Sequence, residues 1–209
     1  NTTLLDVGSA GKPVFINIKE GNKYSIDPMV EVRLKIRPIL VDLYKDNNIK
    51  GLSIPLEEFN EDVKFDVIFC LNMLDHVSNY KPIIKKMDMI LKEEGYLNLR
   101  IDLHTNSITK WIKNFFQPEP PHPHHFMKKD ILKLFSKYKL VRYKVVTQDM
   151  KKRVKDLGIK RKKEKLSYRI KQYIVNVEIK RFIGVLLMTI INFFTKYKYK
   201  YTATFIFQK

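Results

Sequence analysis

The chain has 209 residues, of which 44% are hydrophobic and 12% aromatic, with only 7 glycines and 9 prolines. This composition is typical of a globular domain and excludes collagen-like repeats and low-complexity disorder. The formal net charge of +18 favours polyanionic partners such as nucleic acid, an anionic membrane surface or a phosphorylated small molecule. The single cysteine, Cys70, cannot form an internal disulfide, so we expect a cytoplasmic protein.

Short apolar runs alternate with amphipathic stretches as far as about residue 102, which predicts strands joined by helices in a parallel sheet. We predict strands at residues 3–7, 23–26, 65–71, 96–101, 140–147 and 201–207. We predict a short helix after the first strand, between Pro13 and Gly21, and longer helices at 30–44, 80–91 and 127–138. Pro38 should shorten or kink the helix at 30–44, and Gly95 should stop the helix at 80–91. The last two strands should form an antiparallel pair that closes the sheet.

Residues 150–196 differ from both flanks and are predicted to be a helical insertion between a core at 1–149 and a final strand within 197–209. Residues 151–200 contain sixteen Lys or Arg and only three acidic residues. Within them, residues 182–194 are almost entirely apolar but shorter than the roughly 20 residues that span a bilayer. Two interpretations stay open: a buried helix that covers the sheet, or an interfacial membrane anchor bracketed by basic residues.

A strand that runs into a turn of small residues opens the chain, Leu-Leu-Asp-Val-Gly-Ser-Ala-Gly at 4–11. Small residues let the backbone approach a cofactor closely at the carboxyl end of a strand. Asp27 follows Gly8 by nineteen positions, where it would accept hydrogen bonds from ribose hydroxyls. Alone, this pattern fits many nucleotides. Gly8 and Gly11 would also suit a tight turn, and Asp27 a helix cap.

Five motifs follow one another between residues 6 and 97. They are Asp-Val-Gly-Ser-x-Gly at 6–11, Ile-Asp-Pro at 26–28, Ile-Pro-Leu at 54–56, Phe-Asp-Val-Ile with Leu-x-His-Val at 65–77, and Leu-Lys-x-x-Gly-Tyr-Leu at 91–97. Over about residues 3–147 this order resembles the class I S-adenosylmethionine-dependent methyltransferases of the small-molecule type. The resemblance implies an α/β fold: a Rossmann-like, mostly parallel sheet with helices on both faces, an antiparallel last strand and a helical insertion before it.

The resemblance also implies a site for S-adenosylmethionine along the strand ends, made by Asp6, Gly8, Ser9, Gly11, Asp27, Pro28, Ser53, Ile54 and Asn72. In it Asp6, Gly8 and Ser9 would border the methionine part. Asp27 would hold the ribose. Pro28 and Met29 would flank the adenine, with Ser53 and Ile54 on its other side. Asn72 would face the sulfonium and the substrate. The family usually has glycine where this chain has Ala10 and Lys12.

Histidines supply the candidate catalytic and substrate-binding groups. Asp75 precedes His76 and would orient it as a general base for a hydroxyl acceptor, although a helix-start Asp beside a packed imidazole fits equally well. The Pro-rich segment 117–125 ends in His122, His124 and His125, which the resemblance places on the substrate side. Imidazoles also suit zinc or copper, but no neighbouring carboxylate has ligand spacing, so we expect no metal.

The resemblance therefore implies a methyltransferase, which we expect to modify a small-molecule or a carbohydrate- or lipid-linked acceptor. The basic, apolar insertion would let it meet that acceptor at an anionic membrane surface. One alternative is an RNA methyltransferase that uses residues 151–171 as a phosphate track. The other is a methyltransferase-like module that binds or tethers without catalysis. Nucleobase N-methylation is disfavoured because Asn-Met-Leu-Asp at 72–75 replaces the Asn/Asp-Pro-Pro-aromatic tetrapeptide that usually accompanies it.

Overall fold

The computed structural model describes residues 2–116, 122–147 and 200–209. Seven strands of this part of the chain form one sheet in the order β3-β2-β1-β4-β5-β7-β6. The strands are β1 (Thr3–Val7), β2 (Asn22–Ile26), β3 (Ile49–Leu52), β4 (Phe65–Leu71), β5 (Leu91–His104), β6 (Lys139–Val145) and β7 (Lys200–Gln208). The helices are α1 (Val30–Ile36), α2 (Ile39–Asp46), α3 (Tyr80–Ile90), α4 (Ser107–Phe116) and α5 (Lys128–Leu134).

Strand directions confirm the predicted fold class, a Rossmann-like and mostly parallel sheet. β1 pairs in parallel with β2 and β4, β2 with β3, and β4 with β5. β7 is antiparallel to β5. Its last residues lie beside the start of β5, where Lys209 exchanges backbone hydrogen bonds with Glu94 and Gly95. Near the end of β5, the Thr202 hydroxyl contacts Asp102 at 2.5 Å. The predicted antiparallel last strand is therefore present, and the predicted insertion at 150–196 lies outside the described residues.

Proline explains the interruption of the predicted helix at 30–44. Pro38 has no N–H to donate and disfavours the helical conformation at the residue before it. Arg37 accordingly leaves the helical region, with φ −132° and ψ 83°, and ends α1. Pro38 itself, at φ −53°, is the N-cap residue immediately before α2. The chain thus has two short helices where the apolar spacing alone predicts one.

Two predictions about local structure are wrong. The stretch between Pro13 and Gly21 forms turns rather than a short helix, with bonds such as Ile18 N–H to the Phe15 carbonyl at 2.9 Å. Gly95 does not stop a helix, because α3 already ends at Ile90 and Gly95 lies within β5. Its carbonyl accepts from Lys209 at 3.1 Å, a partner more than a hundred positions away.

The chain divides into two compact units, each with its own buried side chains. The first comprises Asn1–Ile101, Phe135–Lys144 and Thr204–Lys209, and the second Asp102–Leu134 and Val145–Ala203. In the first, Leu5, Ile68 and Leu99 are fully buried on adjacent strands, as is Cys70, the predicted core cysteine. In the second, Leu103 and Ile131 are fully buried. No helix of the described ranges is long and apolar enough to span a bilayer.

Candidate functional site

The carboxyl ends of four parallel strands meet at one edge of the sheet. Val7, the last residue of β1, pairs with Ile26 of β2 and with Cys70 of β4, and Ile26 pairs with Leu52 of β3. The residues that leave these strand ends are Gly8, Asp27, Ser53 and Asn72, all among those predicted to bind the cofactor. The strand order reverses between β1 and β4, and in open α/β sheets ligands bind in the crevice at such a reversal.

The turn after β1 requires glycine at two of its positions. Gly8 and Gly11 have φ +73° and +78°, in the left-handed region that other residues rarely adopt. A Cβ on Gly8 would lie 2.4 Å from Met73 Cγ, and a Cβ on Gly11 would lie 2.7 Å from Arg33 Cβ. Ala10 also takes a left-handed conformation, at φ +50°. The two glycines therefore allow close packing of this turn against the residues that follow β4 and against α1.

Asp6 ties the turn back to the sheet from within β1. Its Oδ2 accepts a hydrogen bond of 2.7 Å from the Val14 N–H, so one carboxylate holds the loop between them. Burial raises the pKa of Asp6 to about 7 despite that bond, with the negative charge of Asp27 raising it further and Arg100 opposing the shift. Asp6 therefore changes its charge near neutral pH.

Asp27 holds two backbone segments at the end of β2. Its Oδ2 accepts from the Ala10 N–H at 2.9 Å, and its Oδ1 accepts from the Met29 N–H at 2.8 Å. An ionised carboxylate offers about four lone-pair sites, so each oxygen retains acceptor capacity. The sequence leaves two roles open for Asp27, a helix cap and ribose binding. The N-cap of α1 is Met29, and Asp27 accepts from the Met29 N–H rather than capping the helix itself. The acceptor capacity that remains is chemically compatible with ribose binding.

Sequence reasoning did not identify a chain of hydroxyl groups beneath this turn. Ser9 Oγ and Ser25 Oγ share a hydrogen bond of 2.7 Å, and Ser25 Oγ shares another of 2.9 Å with the Tyr44 hydroxyl. Ser25 is fully buried and pairs with Asp6 across β1 and β2. A serine among apolar strand residues was the available signal. The network fixes the predicted cofactor residue Ser9.

The ends of β2 and β3 are joined by Ser53. Its Oγ donates to the Pro28 carbonyl at 2.9 Å and accepts from the Glu31 N–H at 3.4 Å. Pro28 and Met29 are exposed and Ile54 is half-buried. The four residues predicted to surround the adenine therefore belong to two adjacent strand ends, and their contact with a cofactor stays a prediction.

Asn72 has two unusual features at the end of β4. Its φ is +55°, a strained conformation for a non-glycine residue, and its N–H donates to the Arg100 carbonyl at 2.7 Å. Its side-chain Oδ1 is buried without a hydrogen-bond partner among the described residues. A buried polar atom of this kind needs a bound group or water to satisfy it.

Asp75 and His76 lie in the turn that follows Asn72. The His76 N–H donates to the Met73 carbonyl at 2.9 Å, which closes this turn. Asp75 is 4% exposed, whereas His76 is exposed. A carboxylate oxygen of Asp75 and a ring nitrogen of His76 lie within 4.8 Å of each other. Their proximity is consistent with an oriented base, and the catalytic role stays a prediction.

The three histidines predicted to bind substrate belong to the second unit, and His125 pairs there with a histidine that sequence reasoning did not select. His125 Nδ1 lies 3.3 Å from His104 Nε2, and their rings are nearly perpendicular, with centroids 5.1 Å apart. Both side chains are buried. His122 and His124 are half-buried, and the His124 ring lies 6.2 Å from that of Phe126. Their substrate role stays a prediction.

The profile of a family described as a methyltransferase domain matches residues 1–142. The chain therefore belongs to the methyltransferase domain family, as its motif order predicts. No curated protein matches the sequence.

Solved structures share the fold at low sequence identity. MccD protein is 17% identical with a TM-score of 0.63, and the match covers all of this chain and 90% of that one. The [4+2]-cyclase SpnF is 13% identical with a TM-score of 0.66, covering 100% and 75%. Coclaurine N-methyltransferase bound to N-methylheliamine and SAH is 12% identical with a TM-score of 0.61, covering 99% and 67%. These similarities concern the fold.

Proposed function

We propose that the protein transfers the methyl group of S-adenosylmethionine to a small-molecule acceptor or to a carbohydrate- or lipid-linked one. The observation that supports this proposal most directly is the convergence of Asp6, Asp27 and Asn72 at the reversal of strand order. Membership of a methyltransferase-domain family and similarity in fold to a structure bound to SAH support this choice of cofactor.

The residues at the strand ends fit such a cofactor. Asp27 has unused lone pairs for ribose hydroxyls beyond its two backbone bonds. The buried Oδ1 of Asn72 is an acceptor without a partner in the described chain, suited to a polar or positively charged group. Asp6 would supply negative charge near the cationic methionine part once it ionises. The cofactor itself supplies an activated methyl group.

The chain's own contribution to methyl transfer would be alignment and, for a hydroxyl acceptor, removal of a proton. Alignment of the acceptor with the methyl and the sulfur lowers the entropic part of the barrier. Asp75 would hold the His76 imidazole in one orientation, and His76 would accept the hydroxyl proton. An amine acceptor that is already neutral would not need that step.

A second candidate is a member of this fold that binds a ligand without methyl transfer. The side chain of Met73 occupies the space beside Gly8, and Ala10 replaces a usual glycine in a left-handed conformation. The similarity to a [4+2]-cyclase is also consistent with other chemistry on this fold. RNA as acceptor depends on residues 151–171, which lie outside the described residues.

Membrane association through residues 182–194 is likewise a proposal, since these residues lie outside the described part of the chain. It accounts for their basic flanks and suits a lipid-linked acceptor met at the cytoplasmic side of a membrane. Vesicle flotation of the full chain tests it by comparing the natural protein with a variant in which Lys196 and Lys198 are replaced by Gln.

Transfer of a tritium-labelled methyl group from S-adenosylmethionine to a panel of hydroxyl, amine and glycolipid acceptors tests the proposed activity. We expect incorporation into one acceptor class, reduced by Asp27→Ala and retained by Asp62→Asn, a change on an exposed loop. For a hydroxyl acceptor, His76→Ala should lower kcat and leave the affinity for the cofactor unchanged. Cofactor binding without incorporation into any class would favour the second candidate.

A further inference from the structure

Helix α4 carries large apolar side chains outside its buried side. Thr109 and Ile112 are 1% and 4% exposed, whereas Ile108, Trp111 and Phe115 are 67%, 58% and 50% exposed. These last three follow the spacing i, i+3, i+7, so they form one stripe along the helix, the α4 stripe. Proteins rarely leave contiguous large apolar groups in water unless the surface meets another phase or partner.

The two aromatic members of the α4 stripe are arranged against each other. The Trp111 and Phe115 rings are stacked, with centroids 5.5 Å apart and an interplanar angle of 11°. Tryptophan is enriched where an apolar phase meets water, because its ring is largely apolar and its N–H is polar. A helix of ten residues is only about 15 Å long, so α4 could lie in an interface but could not cross one.

Positive charge accompanies the α4 stripe within the same unit. Lys110 of α4 forms an ion pair of 2.6 Å with Asp130 of α5, which places the two helices side by side. Asp130 is the only acidic residue in the described ranges 105–116 and 122–134, and that ion pair engages it. Lys129 and Lys133, one helical turn apart on α5, are exposed. The α4–α5 pair thus combines an apolar stripe with excess positive charge.

We propose that the α4 stripe docks on an anionic lipid surface, with its three side chains at the boundary between headgroups and acyl chains and the α5 lysines facing lipid phosphates. This inference does not depend on methyl transfer or on residues 182–194. RNA fits the stripe less well, because the two ring faces that would stack on bases partly cover each other and Ile108 has no ring.

The chain's only tryptophan makes the proposal directly measurable. Trp111 emission of the full chain should shift to shorter wavelength on vesicles of phosphatidylcholine with phosphatidylserine, and lipids brominated on the acyl chains should quench it. Pure phosphatidylcholine should give a weaker response, because the lysines then lose their counter-charge. Emission that does not change while the protein floats with the vesicles would overturn the proposal, since contact would then be elsewhere. So would a shift caused by polyuridylate and not by vesicles.

Matched substitutions distinguish binding through the α4 stripe from a general effect of exposed apolar side chains. Ile108→Ser should weaken partition onto anionic vesicles roughly tenfold, from the lost burial of one aliphatic side chain. Ile36→Ser, at a residue of α1 that is 69% exposed, is the control and should leave partition unchanged. Equal losses from the two variants, or none from Ile108→Ser, would contradict a role for α4. Both sites are exposed, so folding should persist, and circular dichroism checks it.

Discussion

The Ala10 N–H donates a hydrogen bond of 2.9 Å to Oδ2 of Asp27, seventeen positions further along the chain. This bond joins the turn after β1 to the end of β2, the two segments between which a nucleoside would bind at the strand-order reversal. The residue proposed to hold the ribose therefore also fixes the backbone segments on both sides of it. Loss of this carboxylate should affect stability and binding together.

Asp27→Ala should lower the free energy of unfolding by about 2 kcal/mol, because the Ala10 and Met29 N–H groups both lose a charged acceptor. The affinity for S-adenosylmethionine should fall by at least about tenfold, because the ribose hydroxyls lose a charged hydrogen-bond acceptor. Urea unfolding and calorimetric titration measure the two effects. Asp27→Asn keeps one acceptor oxygen and should give intermediate values. Unchanged affinity in a folded Asp27→Ala protein would exclude the ribose role.

Gly8→Ala and Ala10→Gly should have unequal effects in the same turn. A Cβ at position 8 would lie 2.8 Å from Met73 Cβ, and the alanine would have to keep φ +73°. We therefore expect a loss of about 2 kcal/mol in the free energy of unfolding. Ala10→Gly relieves a left-handed alanine but makes the unfolded chain more flexible, so the net change should stay within about 1 kcal/mol. Urea denaturation of both variants checks this. Equal losses would show that left-handed geometry is unimportant here.

Asp6 should make folding stability depend on pH in the direction opposite to most acids. Its pKa in the folded protein is raised to about 7 from 3.8. Between these values the folded state holds a proton that the unfolded state has released. The free energy of unfolding should therefore fall by at most about 1.4 kcal/mol per pH unit as pH rises from about 4 to about 7. Above about pH 7 it should level off.

Urea unfolding across this pH range tests the effect, with Asp6→Asn and Asp66→Asn as a matched pair. Asp6→Asn keeps an acceptor for the Val14 N–H and should remove the decline with pH. Hydrogen bonds from the Thr3 N–H and from Lys92 lower the pKa of Asp66 although burial opposes them, so its contribution is present above its unfolded pKa and lost in acid. Asp66→Asn should thus leave the decline towards pH 7 intact. A decline that persists in Asp6→Asn would assign it to another group.

The pH dependence of cofactor binding should also reflect the ionisation of the Asp6 carboxyl group. A cationic methionine part favours the ionised form of Asp6, so binding of S-adenosylmethionine should tighten from pH 6 to pH 8 and release protons. Titrations in buffers of different ionisation enthalpy measure this release. Asp6→Asn should flatten the dependence, whereas a proton release that is unchanged in this variant would place the titrating group elsewhere.

Tyr44→Phe should cost about 1 kcal/mol in the free energy of unfolding, because the buried Ser25 hydroxyl loses one of its two hydrogen-bond partners. Tyr24→Phe, at a half-buried ring that packs against Phe59 and Phe65, is the control and should cost less. Thermal unfolding of both variants decides between them. A larger loss in the control would contradict a stabilising role for the hydroxyl network at this turn.

Local patterns predict much of this fold, because strand alternation and helix breakers act over a few residues. The bounds of β1 and β4 agree with prediction. Pro38 was expected to shorten or kink one helix, and it separates two. The prediction for Gly95 was wrong because its partner, Lys209, lies far along the chain. The Ser25–Tyr44 bond depends on the same kind of distant pairing. Helix α4 was not predicted, although its apolar residues have helical spacing. The structure shows that three of them, Ile108, Trp111 and Phe115, are exposed rather than buried in the core.

The most direct test of the central claim is a calorimetric titration of S-adenosylmethionine into the full chain at neutral pH. We predict binding at one site per chain, weakened in the folded Asp27→Ala protein and preserved in Asp62→Asn. An absence of binding heat at several temperatures, with cofactor on the order of 1 mM, would contradict the proposal that these strand ends hold an adenosyl sulfonium.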